Sequence, residues 1–218
     1  MGRMRGIIEE PTGLRYVPSL LSEDQERDLL ERVRGLQFEE VRIHGQVARR
    51  VVRHFGVQYA FESAAITPGP PIPDWLTEVR DHAAQLLDVS PAALAEVLVT
   101  YYPPGATIGW HRDAPVFGDV VGVSLGSACE MRFQRGQGDG RRVFQQRLEP
   151  RSAYVLSGPA RNRWQHSIPQ VATDRYSLNF RTLRRRLEGS RLASGRSRAT
   201  WPRSRRRGSR AAPSQGPP

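Results

Sequence analysis

His111-Arg112-Asp113 sets an imidazole and a carboxylate with one residue between them, and on an extended backbone such residues project from the same side. Two ligands on one face is how a side-chain pair grips a metal ion. A third candidate, His166, stands 55 residues further on, just before Ile168-Pro169. Two neutral imidazoles and one carboxylate on one face of an octahedron leave positions for a chelating cosubstrate and for dioxygen, the facial triad of non-haem Fe(II) oxygenases. His-x-Asp alone is common by chance. His-Arg-Asp also occurs in the catalytic loop of protein kinases, but the chain has no glycine-rich loop, no lysine and no Asp-Phe-Gly, so that match is spurious. What gives the pair weight is the run Arg175-Tyr176-Ser177-Leu178-Asn179-Phe180-Arg181. Its two arginines share one face of a strand, and a fixed guanidinium fork there can pair in bidentate fashion with a dicarboxylate.

Elements must hold these residues in place. Ser22-Glu23-Asp24-Gln25 reads as a capping box, and Leu29, Leu30 and Val33 follow at helical spacing before Gly35 stops the run. Residues 38–61 turn β-like, with Val41 and Ile43, Val51 and Val52, then Phe55, Val57, Tyr59 and Phe61 in alternation, which predicts short strands or a hairpin-rich flap. Residues 67–73 are a proline-rich linker, and Asp74 is placed to cap a second helix over residues 75–87. Beyond Pro91 come six expected strands, at residues 96–102, 119–125, 130–134, 142–148, 152–156 and 175–181. Strands in succession without helices between them imply an antiparallel sandwich or barrel, not a parallel α/β sheet.

Composition bounds the setting. A chain of 218 residues with 38% hydrophobic content suits one globular domain of middling size. All 33 basic residues are arginine, which excludes Schiff-base and lysine general-base chemistry. Residues 184–218 hold eleven arginines and one acid, Glu188, so this segment carries +10 while the remainder is close to neutral. Its Arg, Ser, Gly, Pro and Ala composition predicts disorder. The longest charge-free stretch, residues 97–110, is 14 residues long and broken by prolines and Gly105, too short for a spanning helix. With no apolar run behind the N-terminal charges and a single cysteine, Cys129, a reducing, cytoplasmic home and a buried, unreactive thiol are expected.

Tyr101-Tyr102-Pro103-Pro104-Gly105, Trp110-His111-Arg112-Asp113, Val123-Ser124-Leu125-Gly126, Ser157-Gly158, Trp164-Gln165-His166 and the closing Arg175-Tyr176 and Phe180-Arg181 form an ordered string. Over about residues 14–181 it resembles the AlkB family of Fe(II)/2-oxoglutarate-dependent dioxygenases. The resemblance implies a mainly β fold. Its double-stranded β-helix, or jelly-roll, core covers residues 92–183. An N-terminal α/β extension with a helix and a nucleotide-recognition lid covers 14–91, between a flexible N-terminus, 1–13, and the disordered Arg-rich tail, 184–218. It further implies Fe(2+) held by His111, Asp113 and His166, the distal carboxylate of 2-oxoglutarate held by Arg175 with Tyr102, and Arg181 near the keto-acid end. Two positions depart from better-known members: Thr100 stands two residues before Tyr102 where they have Asn, and Ser177 stands where Asn follows Arg-Tyr. Both shorten a hydrogen-bonding side chain. The nine residues from His166 to Arg175 imply a small loop.

In the lid, Arg49, Arg50, Arg53, His54, Phe55 and Tyr59 resemble the segment used by members that act on nucleic acids, with arginines for phosphates and aromatics for stacking. The alternative for this segment is that Val51, Phe55 and Val57 are core and the arginines are solvated. Trp110 and Trp164 abut the candidate ligands and either line the pocket or belong to the core. The implied activity is oxidative demethylation of alkylated nucleobases in DNA or RNA. It consumes dioxygen, releases succinate, CO2 and formaldehyde, and is expected of a monomer with no membrane partner. Two other readings stand beside it: the same chemistry on a protein or small-molecule substrate, and an Arg-tailed RNA-binding protein whose barrel is idle. The intact triad and both arginines argue against idleness.

Overall fold

The computed structural model describes residues 6–43, 45–60 and 65–184. The expected disorder of the tail falls, from residue 185 on, outside the described residues. In chain order the elements are β1 (Ile7–Ile8), β2 (Leu14–Val17), α1 (Glu23–Arg34), β3 (Glu39–Ile43), β4 (Gln46–Ala60), β5 (Ala65–Pro68), α2 (Thr77–Leu87), β6 (Leu94–Tyr102), β7 (Ile108–His111) and β8 (Phe117–Leu125). There follow β9 (Cys129–Arg135), β10 (Arg142–Leu148), β11 (Ala153–Leu156), α3 (Gly158–Asn162), β12 (Gln165–Ile168) and β13 (Arg175–Leu183). The small sheet runs β1-β10-β9-β12-β7, and the large sheet runs β2-β11-β8-β13-β6-β4-β3 with β5 added to β4. The mainly β, two-sheet architecture matches the expectation.

α1 begins as its capping box dictates: Gln25 N donates to Ser22 Oγ at 3.2 Å and Ser22 N donates to Gln25 Oε1 at 2.7 Å. α2 does not begin at Asp74. The chain first makes a 3-10 turn over Asp74–Leu76, so Leu76 occupies the cap position without a side-chain bond. Both helices lie on one face of the large sheet, where Leu29, Val33, Val79 and Ala83 pack with Val97, Val123, Leu178 and Phe180. Each such buried Val, Leu or Phe side chain contributes about 1.5–3 kcal/mol. A second cluster fills the space between the sheets, joining Tyr102, Tyr154 and Leu156 of the large sheet to Met131, Phe133, Leu148 and Trp164.

This double covering decides what β13 does. Tyr176, Leu178 and Phe180 belong to the helix-side cluster, so the alternate residues Arg175, Ser177, Asn179 and Arg181 face into the sandwich. Polar side chains on an alternating strand ordinarily face water; here Arg175, Ser177 and Asn179 are buried. Tyr154 on β11 lies across Gly122 of β8 and donates its hydroxyl to Asn179 Oδ1 at 3.0 Å. A Cβ at Gly122 would stand 2.2 Å from the Tyr154 ring. Gly122→Ala is therefore expected to displace that ring and destabilise the protein by about 1–3 kcal/mol, read as a lowered Tm. An unchanged Tm would mean the ring has room to move.

Three differences from the sequence reading matter. The strands carrying the candidate histidines, β7 and β12, were not expected, because four residues such as Gln165-His166-Ser167-Ile168 carry no usable alternation and are extended only because they pair with each other and with β9. The region read as short strands contains one 15-residue strand, β4. Residues 1–13, expected to be flexible, include β1, which pairs in parallel with β10.

Candidate active site

β7 and β12 pair so that His111 and His166 are direct cross-strand partners, with ring centroids 4.3 Å apart at 62°. Asp113 follows in the connection to β8. The three side chains bring one potential ligand atom each within 4.8 Å of one another. His111 Nδ1 lies 2.9 Å from Gly109 O. The tautomer that donates Nδ1–H to this carbonyl leaves the Nε2 lone pair free for a cation. His166 is buried and its Nδ1 has no hydrogen-bond partner among the described residues.

Electrostatics set the same donor forms. Burial lowers the pKa of His111, and it lowers that of His166 to about 3. Burial would raise Asp113, but Arg181 first, then the two imidazoles and Arg161, outweigh it and hold the carboxyl well below the usual range. At neutral pH the cluster therefore offers two neutral nitrogens and one carboxylate, a donor set that fits Fe(II).

The buried imidazole also makes stability depend on pH. In the unfolded chain a histidine takes up its proton near pH 6.5, whereas folded His166 stays neutral down to about pH 3. The unfolded state binds more protons throughout that window, so the stability present above pH 6.5 drains away as pH falls, on the order of 1 kcal/mol per pH unit. In urea unfolding of the metal-free protein, the gap between wild type and His166→Asn should shrink at that rate between pH 6.5 and 5. A constant gap would remove the buried neutral imidazole from the account.

Arg181 ties the cluster to the rest of the cavity. Its Nη2 donates to Asp113 Oδ1 and its Nη1 to Glu96 Oε2, each at 2.8 Å. Burial lowers the Arg181 pKa, but Asp113 and Glu96 more than reverse this and raise it. Glu96, 0% exposed, uses its second oxygen at 2.8 Å from His54 Nδ1. The sequence reading missed Glu96 as a functional residue. Its signal was the one charged side chain on β6, on the face opposite Val97 and Val99.

Arg175 makes a different case. It is 0% exposed, stacks over the Tyr102 ring at 5.0 Å, and donates through Nη2 to Ser124 Oγ at 3.2 Å. Its Nε and Nη1 have no hydrogen-bond partner among the described residues. Burying a cation without a counter-charge costs several kcal/mol, so this site is built for an anion. Burial also raises the Tyr102 pKa against the pull of Arg175, keeping the phenol a donor. Thr100 and Ser177 are buried and face each other in register across β6 and β13. Asn179, not singled out from the sequence, donates to Ser177 Oγ at 3.3 Å.

A cavity of about 170 Å³ opens over His111, Asp113, His166 and Arg181, with β4 as one wall. Arg50, His54 and Tyr59 line it. Phe55 is corrected to a core residue: the pleat sends it to the opposite side from His54, and it packs among the helix-side hydrophobics. Arg53 stacks on Phe55 at 5.6 Å and pairs with Glu39 at 3.2 Å, and Arg49 is exposed. Gly56, at φ +83°, ends the pairing of β4 with β6 and begins that with β5. This break in alternation lets odd-numbered Tyr59 reach the same cavity as Arg50 and His54. Trp164 is core and Trp110 is 37% exposed.

The description 2OG-Fe(II) oxygenase superfamily matches residues 13–193. The chain belongs to the 2OG-Fe(II) oxygenase superfamily. The oxygenase is AlkB-like: it is 30% identical over 169 residues to the tRNA (carboxymethyluridine(34)-5-O)-methyltransferase ALKBH8 of Mus musculus, an alignment covering 75% of this chain and 25% of that protein. The chain thus spans about a quarter of the length of this relative. Uncharacterized protein L905 of Acanthamoeba polyphaga mimivirus is 24% identical over 164 residues, covering 72% of this chain and 73% of that one. The structure of OsALKBH1 superposes with a TM-score of 0.63 at 16% identity, covering 80% of this chain and 98% of that chain. A prolyl-4-hydroxylase from Pseudomonas putida gives 0.55 at 16% identity, covering 79% and 93%. The fold is the jelly-roll core of these oxygenases, and the family to which the chain belongs implies Fe(II) and 2-oxoglutarate. Among the described residues no helix is long and apolar enough to cross a membrane.

Proposed function

We propose that this dioxygenase oxidatively demethylates alkylated nucleobases in DNA or RNA. His111, Asp113 and His166 would hold Fe(II). Arg175 and Tyr102, with Thr100 and Ser177 beside them, would hold the distal carboxylate of 2-oxoglutarate, and Arg181 would lie toward its keto-acid end. The observation that carries the reading is the conjunction of three potential ligand atoms within 4.8 Å with a buried guanidinium two of whose nitrogens have no partner among the described residues. Iron and 2-oxoglutarate, when bound, supply the activation of dioxygen, with succinate and CO2 as by-products.

The chain's own residues do the rest. Arg181 fixes the Asp113 carboxylate in place and holds it ionised. Gly109 orients the His111 ring. The walls from β4 and the packed core beneath exclude water and orient the methyl group. Support for a nucleobase comes from the ALKBH8 relative, named for a tRNA modification, and from the Arg50, His54 and Tyr59 side chains that β4 turns toward the cavity. A reducing, cytoplasmic home fits the single cysteine, which is buried. The deciding experiment is turnover on a panel of methylated DNA and RNA oligonucleotides, with succinate and formaldehyde measured together. Formaldehyde in step with succinate on any of them supports the reading, and succinate release unaffected by every oligonucleotide overturns it.

A further inference from the structure

We propose that His54 reads the substrate, accepting at Nε2 a hydrogen bond from an N–H of an uncharged base, and that buried Glu96 is the positioning residue that fixes it for this task. The inference rests on the nucleobase reading above and narrows its substrate class.

The geometry assigns the tautomer. Glu96 already takes an N–H from Arg181 at 2.8 Å. An ionised carboxylate has only acceptors, so the 2.8 Å contact with His54 runs from Nδ1–H to Glu96 Oε1. In the neutral ring the other nitrogen is then a lone-pair acceptor. His54 lines the cavity beside His111 and Asp113, and its Nε2 has no hydrogen-bond partner among the described residues. Glu96 is 0% exposed and spans from β6 to both β4 and β13. Reading face and metal-side carboxylate are thus joined through two side chains, His54 to Glu96 to Arg181 to Asp113.

The charge of the walls selects in the same direction. Arg50, Arg112 and Arg181 line the cavity against Asp113 and Glu96. Arg181 is paired with both carboxylates, while Arg50 and Arg112 have no carboxylate partner among the described residues. A divalent cation and a dianionic cosubstrate cancel each other, so the loaded cavity stays net positive and repels a positively charged base. An uncharged base that keeps an N–H satisfies both the acceptor at His54 and the sign of the walls.

Two measurements test this. In full-length protein carrying 15N-labelled histidine, NMR at neutral pH should show His54 protonated at Nδ1 and bare at Nε2, with the assignment made by signal loss in His54→Asn. A ring protonated at Nε2, or at both nitrogens, overturns the proposal. The second measurement uses matched oligonucleotides with the iron- and 2-oxoglutarate-loaded enzyme. The pairs are N6-methyladenine with N6,N6-dimethyladenine and N4-methylcytosine with N4,N4-dimethylcytosine; cationic 1-methyladenine and 3-methylcytosine complete the set. Within the pair that is turned over, the N–H base should be favoured in kcat/KM by about tenfold or more, and the cationic bases should be used less well. Asparagine can still donate to Glu96 but offers nothing at the Nε2 position, so in His54→Asn the ratio should fall to near one. A merely structural role for His54 would lower both members of a pair and leave their ratio intact. Oxidation without selection, or selection that survives His54→Asn, overturns the proposal alone. Oxidation of no oligonucleotide overturns the nucleobase reading and the proposal with it.

Discussion

Asp113→Ala should reduce iron-dependent succinate formation below detection, and it should also lower the Tm. The second effect follows from Arg181, which is paired at 2.8 Å with Asp113 and at 2.8 Å with Glu96. Removing one partner of a buried pair costs about 3–5 kcal/mol when the other charge is left alone, and less here because Glu96 remains. Asp113→Asn separates the two effects. Its carbonyl oxygen can still accept from Arg181, so the fold is kept, while the anionic ligand is gone. In that variant iron binding and succinate formation should fall by more than about a hundredfold, beyond the ten- to hundredfold typical of losing an outer partner of a metal ligand. Titration of the folded variant with Fe(II) under anaerobic conditions, alongside succinate release, makes the comparison. Wild-type iron affinity in Asp113→Asn would refute the triad.

Arg175→Lys should raise the KM for 2-oxoglutarate by roughly tenfold or more. Lysine keeps the charge but loses the planar fork, and a charge-assisted hydrogen bond contributes about 1.5–3 kcal/mol. At this position the geometry is unforgiving, because the guanidinium is 0% exposed and wedged between the Tyr102 ring and Ser124. The cosubstrate-induced rise in Tm should shrink in parallel, a readout independent of turnover. An unchanged KM and an unchanged thermal shift would place the cosubstrate anion elsewhere.

The parts of this protein legible in the sequence are those set by local rules. The Ser22–Gln25 capping box gave the start of α1 because every partner lies within four residues. The alternation along residues 175–181 put Arg175, Ser177 and Arg181 on one face because a strand's period is a property of its own backbone. The order of motifs was enough to identify the dioxygenase family. The start of α2 was less legible, since Asp74 has a capping side chain but the chain makes a 3-10 turn before the helix begins. Phe55 and Tyr59 were grouped together because the break in alternation at Gly56 depends on which strand β4 pairs with on either side.

By itself, then, the sequence determined the residue types of the site, their spacing along each strand, and the polar and apolar faces of β13. Only the tertiary structure decided that the polar face of β13 is buried, that His166 stands opposite His111, and that Glu96 joins His54 to Arg181. The physical reason is range. Backbone period and capping involve neighbours a few residues apart, whereas those contacts close distances of 55 residues between His111 and His166 and of 85 between Glu96 and Arg181. They exist because two sheets bury their inner faces against each other, an apolar driving force that has no direction of its own and brings together whichever polar groups those faces carry.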